Sequence, residues 1–345
     1  MRRITNDSHS GYQINIYYMI NVEDDIMKAK VYIDGSAGTT GLRINERLEN
    51  RKDIEIIRIP DELRKDNDTR AKYINEADIV FLCLPDDASR EAVSFVKEDN
   101  NRTVIIDAST AHRTNPEWAY GIPELCDDFR NKIKSSKRIA VPGCYASGFA
   151  MMVYPLVKMG IMGNDYPVCV TALSGYSGAG KKAIELYESE GKTNDLYAPR
   201  EYALSQSHKH LKEMKIISGL KCEPLFTPVV DDYYSGMVVS LPLYASLLKV
   251  KMTPEALCEK YKEFYKGEQF IHVRDFGAES KENGFLPANA MSGRDDAEIF
   301  VTGNDERLLV SARFDNLGKG ASGAAVQCMN MVLGCDENTG LNIAD

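Results

Sequence analysis

The sequence has no basic surplus, no long apolar run and no paired-cysteine motif. Its 345 residues carry 42 Lys and Arg against 51 Asp and Glu, a net charge of −9. A nucleic-acid surface needs a basic face, so that class is set aside. No stretch approaches the ~20 apolar residues of a membrane helix, which argues against a membrane protein. Nor is there a secretory core, because Tyr17-Tyr18-Met19-Ile20 is short and flanked by Asn15 and Asn21. The eight cysteines, Cys83, Cys126, Cys144, Cys169, Cys222, Cys258, Cys328 and Cys335, form no C-x-x-C pair, and several lie in apolar runs. That usage fits free thiols in a reducing cytoplasm rather than a disulfide framework. Internal repeats and low-complexity linkers are also missing.

What is there begins with glycine. Gly35, Gly38 and Gly41 follow the apolar run Val31 to Ile33 and precede a helix-compatible stretch, Leu42 to Leu48. Strand, glycine turn and helix make a dinucleotide phosphate site. Glycine lets backbone N–H groups approach a pyrophosphate, and the helix N-terminus adds partial positive charge. The spacing is G-x-x-G-x-x-G rather than G-x-G-x-x-G, so a tight turn without a ligand is the competing reading.

The chain is long enough for two cores, since single cores stop growing near ~250–300 residues. Apolar strands at 54–59, 78–85, 103–107 and 139–142 alternate with helix-compatible stretches at 67–76 and 89–97. Repeated βαβ units predict an α/β fold with a doubly wound parallel dinucleotide-binding domain. From about Pro167 the pattern changes. Strands at 168–173, 237–242, 298–302 and 308–314 have few helices between them, 253–265 being the clearest. They predict an α+β domain with a mixed sheet. A small-residue helix at 318–333 is suited to pack on the first domain. The expected organisation is 27–147 with 315–345 as the dinucleotide-binding domain, and 148–314 as the catalytic, substrate and oligomerisation domain. Residues 1–26 read as a disordered arm or an upstream start, dispensable for chemistry. The alternative gives Ile14 to Val22 an element at a subunit contact.

Cys144, in Val141-Pro-Gly-Cys-Tyr-Ala-Ser-Gly148, carries the second chemical signal. An apolar run follows it, so the thiol is expected at a strand-to-helix turn, where a helix N-terminus lowers its pKa. Pro155 is expected to kink or end that helix. Cys169, Cys258 and Cys328 read instead as small core hydrophobes. A thiolate needs a proton partner. Of five histidines, His208 and His210 in Ser-His-Lys-His-Leu are the best placed, His112 and His272 being alternatives. An i, i+2 pair can face one way in an extended segment. Neither residue type nor spacing supports a metal site.

In this order these stretches resemble the N-acetyl-gamma-glutamyl-phosphate reductases of the short, second type. The likeness runs over Ile33–Leu42, Ile106–Arg113, Val141–Gly148, Ser174–Gly180, Pro199–Leu204, His208–His210 and Asn316–Gln327. It implies reduction of N-acetyl-L-glutamyl 5-phosphate to the 5-semialdehyde with NADPH, through a Cys144 thioester, in arginine biosynthesis. One of His208 and His210 is then the acid/base, and Arg113 and Arg200 are candidates for the small-molecule acyl-phosphate substrate. The implied cofactor-binding residues are Gly35, Ser36, Gly38, Thr39, Thr40, Gly41, Pro85, Ser109, Ser174, Gly175, Gly178 and Asn316. A homo-oligomer, dimer or tetramer, is implied as well. Beyond the second strand stand both Arg58 and acidic residues, with Arg64 and Lys65 close behind, so the NADP preference rests on the family. Three other readings remain: an aspartate-semialdehyde dehydrogenase, a non-catalytic NADPH sensor, and a cysteine hydrolase using Cys144 with His208 or His210.

Overall fold

The structure, a computed structural model, describes residues 28–344. The leader at 1–26 lies outside the described residues.

The first sheet holds β1 (Ala29–Asp34), β2 (Ile54–Ile57), β3 (Ile79–Leu82), β4 (Val104–Asp107), β5 (Ala119–Tyr120) and β6 (Arg138–Ala140). They lie in the order β2-β1-β3-β4-β6-β5, and every pair is parallel. The helices α1 (Thr39–Leu48), α2 (Asn67–Glu76), α3 (Asp86–Ser94) and α4 (Asp127–Ser135) are threaded through this half, and α5 (Cys144–Lys158) leads from β6 onto the second sheet. Alternate strand residues feed two cores. Val31, Ile33, Phe81 and Ile106 pack with Ile44 and Leu48 of α1 on one face. Tyr32, Val80, Leu82 and Ile105 pack with Ile74 of α2 and Ala92 of α3 on the other. Strands buried on both faces read as unbroken apolar runs, which is the pattern the sequence carries. The strand order reverses between β1 and β3, and the crevice beyond their carboxyl ends is where doubly wound sheets bind ligands.

The second sheet holds β7 (Cys169–Gly175), β8 (Arg200–Glu201), β9 (Leu225–Asp231), β10 (Met237–Tyr244), β11 (Ile271–Val273), β12 (Ala297–Gly303) and β13 (Arg307–Phe314). Its order is β11-β12-β13-β10-β7-β9-β8, mixed, with β7–β9 and β11–β12 parallel. Here the alternation is one-sided. Val170, Ala172, Phe226, Val239, Leu241 and Val310 pack against Phe149 and Met152 of α5. Beside this sheet lie α6 (Lys181–Tyr187), α7 (Leu211–Ile217) and α8 (Pro254–Phe264). The last helix, α9 (Gly323–Leu333), returns to the first sheet and packs Ala324, Ala325 and Met329 beside α1.

Pro155 does not end α5, which continues to Lys158. A proline deprives the carbonyl four residues back of its donor. The Tyr265 hydroxyl donates to the Met151 carbonyl instead, at 2.7 Å, and that of Tyr261 donates to Met152 at 2.6 Å.

The glycines of the first turn have different work. Gly35 stands at φ +90°, and a Cβ there would lie 2.3 Å from the Cys83 carbonyl oxygen. At Gly41 a Cβ would meet the Gly35 oxygen at 2.4 Å. Gly38, the N-cap of α1, has an extended backbone, and its added Cβ would be 3.4 Å from the nearest atom, Gly35 O. The turn therefore depends on Gly35 and Gly41. Gly35→Ala and Gly41→Ala should each lose about 1–3 kcal/mol of stability, the scale of overpacking. Gly38→Ala should melt close to the parent. Thermal unfolding of the three variants checks this, and equal losses at all three positions would contradict it.

Candidate active site

A cleft of about 670 Å³ lies where both sheets contribute. One wall is the start of α1, with Gly38, Thr39 and Thr40 on the lining. The N-cap Gly38 brings no side-chain cap, and the first turn of α1 holds no acidic residue. The first N–H groups of a helix have no partner within it. Such an end favours an anion by roughly 0.3–1 kcal/mol, more when partly buried. These features fit a dinucleotide pyrophosphate.

Cys144 opens α5, directly after the Gly143 N-cap, and it too lines the cleft. Cys144 is half-buried, and its thiol faces competing influences. Burial pushes the thiol pKa up to about 11, while the Arg113 guanidinium, the Tyr145 N–H and the Lys209 ammonium pull it down. The expected depression is therefore reversed. A rise from 9.0 to about 11 is on the order of 3 kcal/mol against the thiolate. That exceeds the stabilisation a helix terminus supplies, so desolvation decides.

His210 lies over the turn that carries Cys144. A Cβ on Gly143 would fall 2.3 Å from His210 Nε2 and 2.5 Å from Arg113 Nη1. Only glycine admits both groups so close to Cys144. His210 is buried, and its Nδ1 has no hydrogen-bond partner among the described residues. Burial, with the Arg113, His208 and Lys209 charges, holds its pKa well below the usual imidazole value. His208 packs edge-on against it at 4.7 Å, and the His208 Nδ1 accepts the His210 backbone N–H at 3.1 Å. Burial and the neighbouring Lys209 and Arg113 pull the His208 pKa down to about 4.

Glu213, on α7, ties these parts together, and the sequence reading missed it. Its carboxylate accepts from Gly143 N–H at 2.9 Å, from the Tyr120 hydroxyl at 2.8 Å and from Arg113 Nη1 at 3.2 Å. Arg113 also donates from Nε to Val141 O and from Nη2 to Ala108 O. Arg200 donates to the Tyr187 hydroxyl at 2.8 Å and to Asp195 at 3.1 Å, and its Nε is buried without a partner. The Tyr202 hydroxyl, two residues on, donates to that of Tyr145 at 2.8 Å, next to the nucleophile.

The structure thus gathers Cys144, His208, His210, Arg113, Arg200, Gly38, Thr39, Thr40, Ser174, Gly175, Gly178 and Asn316 on one cleft. Gly35, Ser36, Gly41, Pro85 and Ser109 are not on its lining. Gly35 and Gly41 shape the turn beneath it, and Pro85 caps α3. The Ser109 hydroxyl is spent on Asp107 at 2.7 Å. His112 is held by Asp107 at 2.7 Å and stacks on Trp118 at 3.9 Å, a structural role. His272 pairs with Asp296 at 2.8 Å. Besides Glu213, the sequence reading passed over Tyr145, Tyr202 and Lys209. Spacing carried a signal for Glu213 alone, one turn beyond His210. Among the described residues no group of three His, Cys, Asp or Glu side chains could hold a metal ion.

Two family models match the chain. Residues 30–135 match the semialdehyde dehydrogenase NAD binding domain, and residues 144–316 match the semialdehyde dehydrogenase dimerisation domain. N-acetyl-gamma-glutamyl-phosphate reductase 2 of Nostoc sp. is 46% identical over 324 residues, covering 91% of this chain and 99% of the relative. The N-acetyl-gamma-glutamyl-phosphate reductase of Brucella ovis is 43% identical over 311 residues, 89% of this chain and 100% of its own. Among solved structures, aspartate semialdehyde dehydrogenase II of Vibrio cholerae matches with a TM-score of 0.64, at 14% identity, over 89% of this chain and 98% of its own. Aspartate semialdehyde dehydrogenase of Francisella tularensis gives 0.64 at 17% identity, over 88% of this chain and 100% of its own. At such identities these two structures speak for the fold alone.

With its thiol pKa near 11, Cys144 should alkylate slowly at neutral pH in protein without added ligand. The thiolate is the reacting form, so the rate should climb as pH rises from about 8 toward 11. Peptide-resolved mass spectrometry of iodoacetamide labelling separates this site from exposed Cys169 and Cys222. A rate that levels off below pH 8 would overturn the assignment of desolvation as the dominant influence.

Proposed function

This chain belongs to the N-acetyl-gamma-glutamyl-phosphate reductase family, and from that premise we propose how its cleft reduces N-acetyl-L-glutamyl 5-phosphate to the 5-semialdehyde. It is an oxidoreductase of the phosphorylating aldehyde dehydrogenase kind, placed in arginine biosynthesis. The observation that carries the reading is the meeting of an uncapped α1 terminus, Cys144 and His210 on one cleft. When bound, NADPH supplies the hydride that takes the acyl group to the aldehyde level.

The chain's own groups do the rest. His210, neutral at physiological pH, takes the Cys144 proton as the sulfur attacks the acyl carbon. A thioester forms and phosphate departs, which splits one hard step into two easier ones. The start of α5 turns backbone N–H groups toward the oxygen that becomes anionic. A second proton, taken up by His210 from solvent, restores the Cys144 thiol as the aldehyde is released. His210 fits this role better than His208, because it lies directly over Gly143. Arg113 is committed to Glu213 and two carbonyls, whereas Arg200 keeps a buried, unpartnered Nε. We assign Arg200 to the substrate's carboxylate, since a guanidinium suits a carboxylate fork. Gly178 leaves room beside Asn316, whose Nδ2 would be 3.2 Å from an added Cβ, in keeping with close approach of a cofactor ring.

NADP rather than NAD is the finer part of the proposal. The residue following β2 is Arg58, exposed, with its guanidinium 3.2 Å from Asn45 Oδ1 on α1. A basic group there suits a ribose 2′-phosphate, where an acidic one suits a free ribose. Homo-oligomerisation is proposed through the outer face of the second sheet. Cys169, Leu173, Leu225 and Tyr244 are exposed there, opposite the α5 side. All eight cysteines are free, which suits a cytoplasmic location.

Phosphate- or arsenate-dependent NADP reduction with N-acetylglutamate semialdehyde tests the whole reading, and turnover of aspartate semialdehyde instead would refute it. Within that assay Cys144→Ser should leave at most a few per cent of the activity while binding NADPH normally, because a hydroxyl is a far poorer nucleophile than a thiol and yields its proton to His210 less readily. His210→Asn should cost roughly 10²–10⁴-fold in kcat. His208→Asn should cost far less, and the reverse order would exchange their roles. Arg58→Glu should lower the preference for NADPH over NADH by about tenfold or more, as loss of a charge-assisted contact predicts. An unchanged ratio of kcat/KM values would remove Arg58 from the cofactor site.

A further inference from the structure

Four cationic side chains line the cleft: Arg113, Lys181, Arg200 and Lys209. Three are engaged. Arg113 is buried, paired with Glu213 and bonded to two backbone carbonyls. Lys181 lies 3.9 Å from Glu185 one helical turn on. Arg200 holds Asp195 and the Tyr187 hydroxyl. Lys209 is exposed and has no hydrogen bond or ion pair among the described residues. It stands between His208 and His210 in the chain, on the segment that covers the nucleophile. Its charge is felt at the Cys144 thiol, at both imidazoles and across the cleft at Asp86. No ion pair joins it to Asp86, whose carboxylate accepts the backbone N–H and the hydroxyl of Thr110.

We propose that Lys209 is the cation that holds the phosphoryl group of the acyl phosphate and the phosphate that leaves it. The inference rests on the reductase reading above and adds a residue to it. As sulfur bonds to the acyl carbon, the carbon–oxygen bond to phosphorus breaks and its electron pair passes to the phosphate oxygen. The proton taken from Cys144 by His210 passes to that oxygen, so hydrogen phosphate leaves. Negative charge grows on the phosphate throughout. A compact ammonium with three donors, not already neutralised by a carboxylate, is the group to meet it. Arg113 is less suited, since Glu213 offsets its charge and most of its donors are spent. In the reverse direction the same ammonium receives inorganic phosphate before it attacks the thioester.

The test uses the full chain with N-acetylglutamate semialdehyde, NADP and inorganic phosphate or arsenate. Lys209→Met should raise the KM for both anions by roughly 10- to 100-fold, the loss of one charge-assisted hydrogen bond. The KM for semialdehyde and the Kd for NADP should stay within about twofold, which a merely structural role would not leave so selective. Lys209→Arg should recover most of the loss, since it keeps the charge. An unchanged KM for phosphate in Lys209→Met, with the parent active, would overturn this inference and leave the reductase reading standing. A parent that shows no phosphate-dependent turnover would overturn both.

Discussion

Glu213 accepts hydrogen bonds from the Gly143 N–H, the Tyr120 hydroxyl and the Arg113 guanidinium, three groups from three separate stretches of chain. Its carboxylate is buried, as is Arg113. Removing one partner of a buried pair leaves an uncompensated charge, at a cost of about 3–5 kcal/mol. The bond to Gly143 fixes the turn that begins α5. Its place on α7 fixes His210 at the start of the same helix. Through Arg113 it is coupled to the loop after β4, and through Tyr120 to β5. Cys144, His210 and Arg113 therefore share one anchor, and none of them can shift without disturbing it.

Around this anchor the fold brings the starts of two helices to one cleft. The start of α1 follows the switch point of the first sheet, and the start of α5 follows β6. Both N-caps are glycines without a side-chain cap. A side chain at Gly143 would displace His210 and Arg113, and one at Gly320 would approach Cys144 Cβ at 2.9 Å. Of the glycines before α9, Gly320 thus leaves room for Cys144, while Gly318 and Gly323 clear Arg294 O and Asp295 Oδ1.

The parts of this architecture that were legible in the sequence are those with a local cause. Strands β1, β3 and β4 are buried on both faces and read as apolar runs. The glycine turn after β1 shows through its spacing, and Cys144 through the Pro-Gly before it and the apolar helix after it. What could not be read depends on distant partners. Strand β9 contains Pro228, which argues against a strand when taken alone, yet it pairs along its length with β7. Helix α4 buries only Ile133, so its apolar signal is faint. Pro155 breaks a helix unless a donor from elsewhere meets the freed carbonyl, and Tyr265 lies 114 residues away. The choice between His208 and His210 depended on what lies over Gly143, and the importance of Glu213 on three partners from distant stretches of chain.

The largest departure concerns the charge state of the nucleophile. A helix N-terminus by itself favours a thiolate, but at Cys144 burial outweighs it and holds the thiol up near 11. The same burial holds His208 and His210 down, and there the neighbouring cations act in the same direction. The protein's own groups thus set a neutral thiol beside a neutral imidazole. The cations that oppose imidazole protonation are also the ones that attract an acyl phosphate. An anion placed among them offsets their field and favours a protonated imidazole. The same anion also withdraws the help those cations give the thiolate, so it raises both groups and does not by itself drive the proton from Cys144 to His210. The thiol is therefore held protonated at rest, and its proton moves as the sulfur bonds to the acyl carbon, when negative charge passes from sulfur to the departing phosphate.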